Sequence, residues 1–511
     1  MAPLRPGRAL SEEEAYVVGV LGGNPESVVD AFAWTALGLV CGLSLLVYAA
    51  QKLQARRLSG APPGKDGGGG EARTPLWVLA SFALCYGLLI PGLFSALFSY
   101  DLSGMNGVVG MRHSTETMVS FVQELWKDQA YLGAALVVLY AMVIPAVKLA
   151  MLVLSELWRR GTPAQVMRAR RCVHLLQSIS KWASPDMFAY VLLLYLLRAL
   201  HHPPTMCALA ELDVGFACFS IFCVGSTVAA LGLRMPPLPE GAEAARPRCC
   251  ARSCAWVRRP AALAGLVALL FCAFVPLLIL GLSRPSMSLR VDPEGFFEPR
   301  GPLSPMLRPV IMSMGIEELA RAQVSIWQCL GELAAWTRDG EATGFIGFVL
   351  FAIFAIAATV VDMLLLLAAA VTSWRWAAHP AVLPCGGASL AGDAEPLRLV
   401  RIARVLKKLS FLDVAIVGIV VLVVGAQAYR SQGLILSMEA GLVPLLGAEV
   451  CHYLAHYLVA DSRLSDPDAA RSVRPKEVEA EEEGEAAKEG EAPEVVVAVW
   501  ELGEDPEVMA V

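Results

Sequence analysis

No two of the thirteen cysteines have CxxC spacing, and none stands with histidine at a metal-ligand interval. No zinc-finger or zinc-ribbon framework is therefore expected, and no cofactor or metal. Nucleotide and hydrolase signatures are missing too: there is no GxxxxGK[ST] loop, no strand-linked GxGxxG, no GxSxG and no HExxH. The run GGGG at 67–70 lies in a Gly/Pro-rich stretch, not between a strand and a helix. No catalytic residue is assigned, and the chain reads as a non-enzyme. It has no soluble basic domain, so nucleic acid is not an expected partner.

Charge is the other scarcity. Charged residues make up 17% of the 511, hydrophobic residues 56%, and the mean hydropathy is +0.57. A soluble globular chain of this length does not reach that balance. The sequence predicts an all-α polytopic membrane protein. Windows of about 18 or more mostly apolar residues suffice to cross a hydrocarbon core of about 30 Å as helices. Nine are present, at 31–50, 76–98, 131–155, 184–200, 213–233, 260–282, 344–372, 411–428 and 434–459. The first has no clear small-residue cleavage site before it and is read as a retained span.

Basic residues crowd every second connection: Arg56 and Arg57, Arg159 to Arg171, Arg234 to Arg252, and Arg375 to Lys407. By the positive-inside rule those connections are cytosolic, the N-terminus is exterior and the C-terminus cytosolic. The formal net charge of −6 arises largely after residue 475. That Glu-rich tail has the composition of a disordered, solvated segment. Its apolar end, VVVAVW at 495–500, reads as a sticky terminus or a docking peptide.

A repeat organises the rest. KWASPDMF at 181–188 and KKLSFLDV at 407–414 each open an apolar run, with Lys408 standing where Lys181 stands and Asp413 where Asp186 stands. Each run is followed by an acid-x-Gly element, Asp213-x-Gly215 after 27 residues and Glu439-x-Gly441 after 26. The second helix of each copy ends in Trp-Arg, at Trp158-Arg159 and Trp374-Arg375. Because each copy starts and ends in the cytosol, the two four-helix modules are parallel. The expected division is an N-terminal segment 1–30, an extra transmembrane helix 31–50, a linker 51–75, a first module 76–234, a linker 235–259, a second module 260–460 and the acidic tail 461–511.

With the Lys181, Trp182 and Asp186 motif, its weaker copy at Lys408 and Asp413, and the doubled module, the chain resembles the paraquat-inducible protein A family. The resemblance implies two such modules, movement of lipid between membranes, membrane stress resistance, and a partner that forms a lipid-conducting tunnel of the MCE type. Membrane lipids are the implied ligand. The family often carries a cytosolic zinc ribbon with paired CxxC, which is absent here. The second linker offers only Cys249, Cys250 and Cys254, read as acylation sites or as thiols without a role. Only Cys207 and Cys329 fall in exterior segments, so no disulfide framework is expected.

Several charges invite two readings. Ser184, Pro185 and Asp186 spell an N-cap, a first-turn proline and an acid at the positive end of a helix dipole, with Lys181 as a pairing partner. Ser410-x-x-Asp413 fits a capping box. Asp186 just inside the boundary also suits a polar mouth, because a carboxylate facing lipid is costly. Arg198 would snorkel at the far end. Lys148 and Asp362 lie at nearly equivalent levels of equivalent helices and are the candidates for an intramembrane polar pathway or ion pair; the alternative for Lys148 is snorkelling. Glu449, His452 and His456 share one helix face, as a packed polar stripe or, less fittingly, a zinc site. Residues 315–336 read as an amphipathic exterior helix. The competing functional readings are a scaffold that recruits partners without transporting, and a small-molecule or ion transporter that uses the buried charges.

Overall fold

The structure is a computed structural model that describes residues 25–58, 74–104, 109–202, 206–236, 260–291, 321–378, 394–427 and 434–461. Cys249, Cys250, Cys254 and the acidic tail lie outside the described residues. Among the described residues eight helical stretches are long and apolar enough to cross a membrane, and the chain is an integral multi-pass membrane protein. Its elements follow one order twice.

In the first stretch α2 (Leu76–Phe94) leads into the hairpin β1 (Ala96–Gly104) and β2 (Val109–Thr117), then α3 (Met118–Lys127). A long helix follows in three parts: α4 (Tyr131–Val138), a π-helical segment Leu139–Val143, and α5 (Ile144–Trp158). Next come α6 (Pro163–Ile179), α7 (Pro185–Ala199), β3 (Met206–Leu212) and α8 (Val214–Leu231).

The second stretch repeats this order. α9 (Pro260–Ser283) precedes β4 (Met287–Val291), β5 (Arg321–Val324) and α10 (Ile326–Arg338). Another helix interrupted by a π segment runs through α11 (Ala342–Val349), Leu350–Ala357 and α12 (Ala358–Ala378). α13 (Ala394–Leu409), α14 (Leu412–Gly425), β6 (Leu434–Met438) and α15 (Leu442–Asp461) complete it. α1 (Pro25–Leu58) precedes both stretches.

Nine spans were expected and eight stretches qualify among the described residues; α7, with 15 residues, is the one left out, while α14 is counted only together with the end of α13, as Arg398–Gly425. At about 1.5 Å per residue α7 reaches roughly 22 Å, short of a hydrocarbon core of about 30 Å. The window at 184–200 looked longer because its start runs on from a 3₁₀ turn, Ser180–Ala183, before Pro185 opens a new helix. Proline cannot continue the preceding helix but is at home in a first turn. Eleven of the fifteen residues of α7 are buried and none is exposed, so its short length meets protein rather than lipid. Its counterpart α14 has 14 residues and is separated from α13 at Ser410 and Phe411.

The chain divides into two compact units, Met1–Pro237 with Leu278–Ala357 and Lys408–Leu446, and Leu238–Leu277 with Ala358–Lys407 and Gly447–Val511. The larger unit holds two antiparallel sheets that the sequence reading missed, ordered β2-β1-β3 and β5-β4-β6. In each, the strand after the first helix takes the centre and pairs with the strand that precedes the last helix. Ser288 and Ser437 face each other across β4 and β6 with hydroxyls 2.9 Å apart.

This sheet geometry explains the acid-x-Gly elements. The Asp213 amide donates to Leu97 O at 2.9 Å and the Glu439 amide to Ser286 O at 3.0 Å, pinning each last helix to the strand that follows its first helix. A Cβ on Gly215 would sit 2.6 Å from the carbonyl oxygens of Ser95 and Ala96; one on Gly441 would sit 2.5 Å from Pro285 O and 2.6 Å from Arg284 O. Backbone cannot step aside as a flexible side chain can. Gly215→Ala and Gly441→Ala should each destabilise the protein by about 1–3 kcal/mol in thermal unfolding. Gly331→Ala on α10, with nothing within 4 Å of its new methyl, should instead stabilise by up to about 1 kcal/mol.

The amphipathic helix expected over 315–336 is corrected within the described residues. Residues 321–324 form β5, and the helix starts after Ser325, whose hydroxyl accepts from the Gln328 amide at 3.2 Å. Its inner face is Ile326, Cys329, Leu330 and Leu333, spaced at helical intervals. Burial pushes the Cys329 thiol up from its ordinary range, and this cysteine is free. α1 is more than a loose anchor: Ser81 donates to Ser44 at 2.8 Å, and at the other end the Ala342 amide donates to Asp30 Oδ1 at 2.8 Å. α1 thereby ties α2 to α11.

Candidate intramembrane polar site

In the larger unit α7 and α14 approach closely. A Cβ on Gly418 would collide with Pro185 O, and the Phe188 ring packs edge-on against Phe351 at 4.9 Å. Beside this seam Lys181 Nζ lies 2.5 Å from Asp413 Oδ2, both side chains 9% exposed, and donates to Ser410 O at 3.4 Å. The expected Lys181–Asp186 pair is therefore replaced by a pair between the two motifs. Lys181 sits on the 3₁₀ turn and Asp186 beyond the break at Ser184 and Pro185, so they do not share a helix face. Trp182 flanks the pair, with Lys181 Nζ 5.8 Å from its ring centre.

The mirrored interaction is not formed. Lys408 donates instead to Gln177 Oε1 at 2.6 Å, and Gln177 Nε2 donates to Ala230 O and Leu233 O. Asp186 is 1% exposed, and neither of its carboxylate oxygens has a hydrogen-bond partner among the described residues. Ser184 is the N-cap residue of α7, but its hydroxyl makes no capping bond. The capping box expected at Ser410 and Asp413 is also absent, because α14 starts after Phe411 and Asp413 Oδ1 accepts from the Val414 amide at 2.9 Å. The Phe411 amide is satisfied by Phe354 O, in the π segment, at 2.9 Å. A π turn releases a carbonyl for just such outside bonds.

Lys148 is fully buried, so it does not snorkel. Its ammonium donates to Ser226 Oγ at 2.8 Å and to Ser180 O at 3.3 Å, and stands 5.6 Å from the Phe222 ring centre. No carboxylate lies within ion-pair reach of it among the described residues. The π segment ends just before Pro145, whose carbonyl accepts from the Tyr86 hydroxyl at 2.9 Å. Arg198 does not snorkel either: its Nε donates to Ala210 O at 2.8 Å, its Nη1 lies 3.3 Å from Glu341, and its guanidinium stacks over Trp336.

The smaller unit holds Asp362, also fully buried. Its Oδ2 lies 2.8 Å from His452 Nε2; His452 Nδ1 lies 3.3 Å from both Glu449 oxygens and 3.1 Å from Lys407 Nζ; Lys407 reaches Glu449 Oε1 at 3.0 Å. Lys407 had been absorbed into the count of topogenic charges, and its position six residues before Asp413 was the signal left unread. Glu449 and His452 are instead engaged with Lys407 and Asp362. No three His, Cys, Asp or Glu side chains are grouped to hold a metal ion among the described residues.

These two clusters occupy matching places in the sequence. Ser226 follows Asp213, and His452 follows Glu439, by the same 13 residues; Ser180 precedes Asp186, and Lys407 precedes Asp413, by the same six. Lys148 meets Ser226 and Ser180, while Asp362 meets His452, which Lys407 also contacts.

Residues 77–235 match the model of the paraquat-inducible protein A family. The paraquat-inducible protein A match spans α2 to α8 and includes Lys148, Lys181, Trp182, Asp186, Asp213 and Gly215. Asp362, Lys408, Asp413, Glu439 and Gly441 lie beyond it. No curated protein and no solved structure matches the chain.

Proposed function

We propose that this membrane protein moves lipid or another amphiphile within or between membranes, through two parallel modules that arose by internal duplication. The matching element order, the two sheets of like strand order and the matched contacts of Gly215 and Gly441 support the duplication. On this reading the basic connections are cytosolic, the N-terminus is exterior and the C-terminus cytosolic. The chain itself makes and breaks no covalent bond and takes no cofactor. The partner implied by the family resemblance is a lipid-tunnel protein.

One observation carries the transport reading. Near the junction of two half-length helices the larger unit buries a carboxylate with no donor, Asp186, and a cation with only neutral partners, Lys148, among the described residues. Buried charges left without counter-charge are costly, and inside a membrane they mark pathways. An amphiphile headgroup carrying both signs supplies what each lacks, while its chains face the apolar helices. The full-length protein reconstituted in vesicles with fluorescent phospholipid should move lipid. Lys148→Met should slow the initial rate about tenfold, equivalent to about 1.4 kcal/mol in the barrier. A protein that moves no lipid would be a scaffold, and one that passes ions but no lipid would be an ion transporter; either result rejects the proposal.

A further inference from the structure

We propose that Asp362, His452, Glu449 and Lys407 form a binding site for one exchangeable proton. The site lies wholly in the smaller unit and does not depend on the lipid-transport reading. Its basis is how the donors and acceptors are matched. Both nitrogens of His452 face carboxylates, Nε2 facing Asp362 at 2.8 Å and Nδ1 facing Glu449 at 3.3 Å. Ionised carboxylates only accept, whereas a neutral imidazole has a single N–H. The ring must either carry two protons or find another donor for one nitrogen.

Lys407 is that other donor, 3.1 Å from Nδ1 and 3.0 Å from Glu449 Oε1. With the ring neutral, Nε2–H donates to Asp362 and Nδ1 accepts from Lys407, and the cluster carries one net negative charge. With one proton added, both ring nitrogens donate to carboxylates, Lys407 keeps Glu449, and the net charge is zero. Both forms are hydrogen-bonded without moving a helix. A proton entering the site binds the Nδ1 lone pair; on leaving, it returns that pair to Lys407.

The groups around the ring are Asp362 from α12, Lys407 from α13 and Glu449 from α15; Arg404 on α13 and His456 on α15 act on one another nearby. The Phe274 ring of α9 lies 6.3 Å away, and the Tyr453 ring of α15 lies 6.3 Å from His452 and 3.5 Å from Lys407 Nζ. Two polar atoms of the cluster remain without partners among the described residues, Asp362 Oδ1 and His456 Nε2. His456 lies four residues beyond His452, on the same face of α15, and offers the next stop for a proton. In the first stretch the corresponding places hold Ser226 and Ser180 around Lys148, and neither of these carries an imidazole to share a proton.

The test is nitrogen magnetic resonance of the purified full-length protein, labelled with ¹⁵N-histidine, in lipid nanodiscs from about pH 5 to about pH 9, the span in which histidine switches are read. One ring should pass reversibly from a single protonated nitrogen to two, and that signal should be lost in His452→Gln. Asp362→Asn, which keeps the side-chain shape, should displace the midpoint by about one pH unit or more. A His452 ring that stays in one form across the range, whether neutral or doubly protonated, overturns the proposal, as does a midpoint indifferent to Asp362→Asn. Lipid movement is not part of this readout, so failure of the transport reading leaves the result interpretable.

Discussion

Lys181→Met should destabilise the folded protein by about 3–5 kcal/mol, whereas the double substitution Lys181→Met with Asp413→Leu should recover most of that loss. The single change leaves the Asp413 carboxylate buried, with the Val414 amide still donating to Oδ1 and no cation at Oδ2. Breaking a buried pair from one side costs far more than the pair contributes, because the remaining charge keeps its desolvation penalty. Removing both partners removes the penalty with the attraction. Lys408→Met is the contrast, because its partner Gln177 is neutral and keeps its bonds to Ala230 and Leu233. A loss of about 1 kcal/mol is expected there. A double-mutant cycle in reversible unfolding reads all of these. Equal losses for Lys181→Met and Lys408→Met would mean that the pair does not anchor the seam.

Much of the frame was legible because it is local. Apolar windows declare spans, Pro185 declares a helix start, and the intervals to Asp213 and Glu439 expose matching segments. Lys148 and Asp362 stood out because a charge in an apolar helix is conspicuous wherever its partners lie. The partners themselves were hidden. Lys181 and Asp413 are 232 positions apart, and no local rule favours that pairing over one with Asp186, five residues away. The sheets were missed for a related reason. β1 owes its place to β3, more than a hundred residues later, and their short runs read as loops between spans. Pro145 gave a cue for the first π segment, but Leu350–Ala357 contains no proline or glycine to mark the second. Lys407 disappeared among neighbouring arginines that the positive-inside rule counts.

Asp186→Ala should make the protein more stable and less able to move lipid. If the carboxylate served only to start α7, its removal would cost about 0.3–1 kcal/mol through the helix dipole. Its burial argues for the opposite sign. Neither oxygen has a partner among the described residues, and an orphaned buried polar group costs about 1–3 kcal/mol, more when charged. Relieving that cost outweighs the dipole. The net expectation is a gain of about 1 kcal/mol or more, read as a higher unfolding midpoint, with a tenfold or greater loss in the vesicle lipid assay. A less stable Asp186→Ala with unchanged lipid movement would return Asp186 to the role of a helix starter. Gain in stability together with loss of activity is what a strained functional group produces, because the cost it imposes on folding is the interaction it holds open for a ligand.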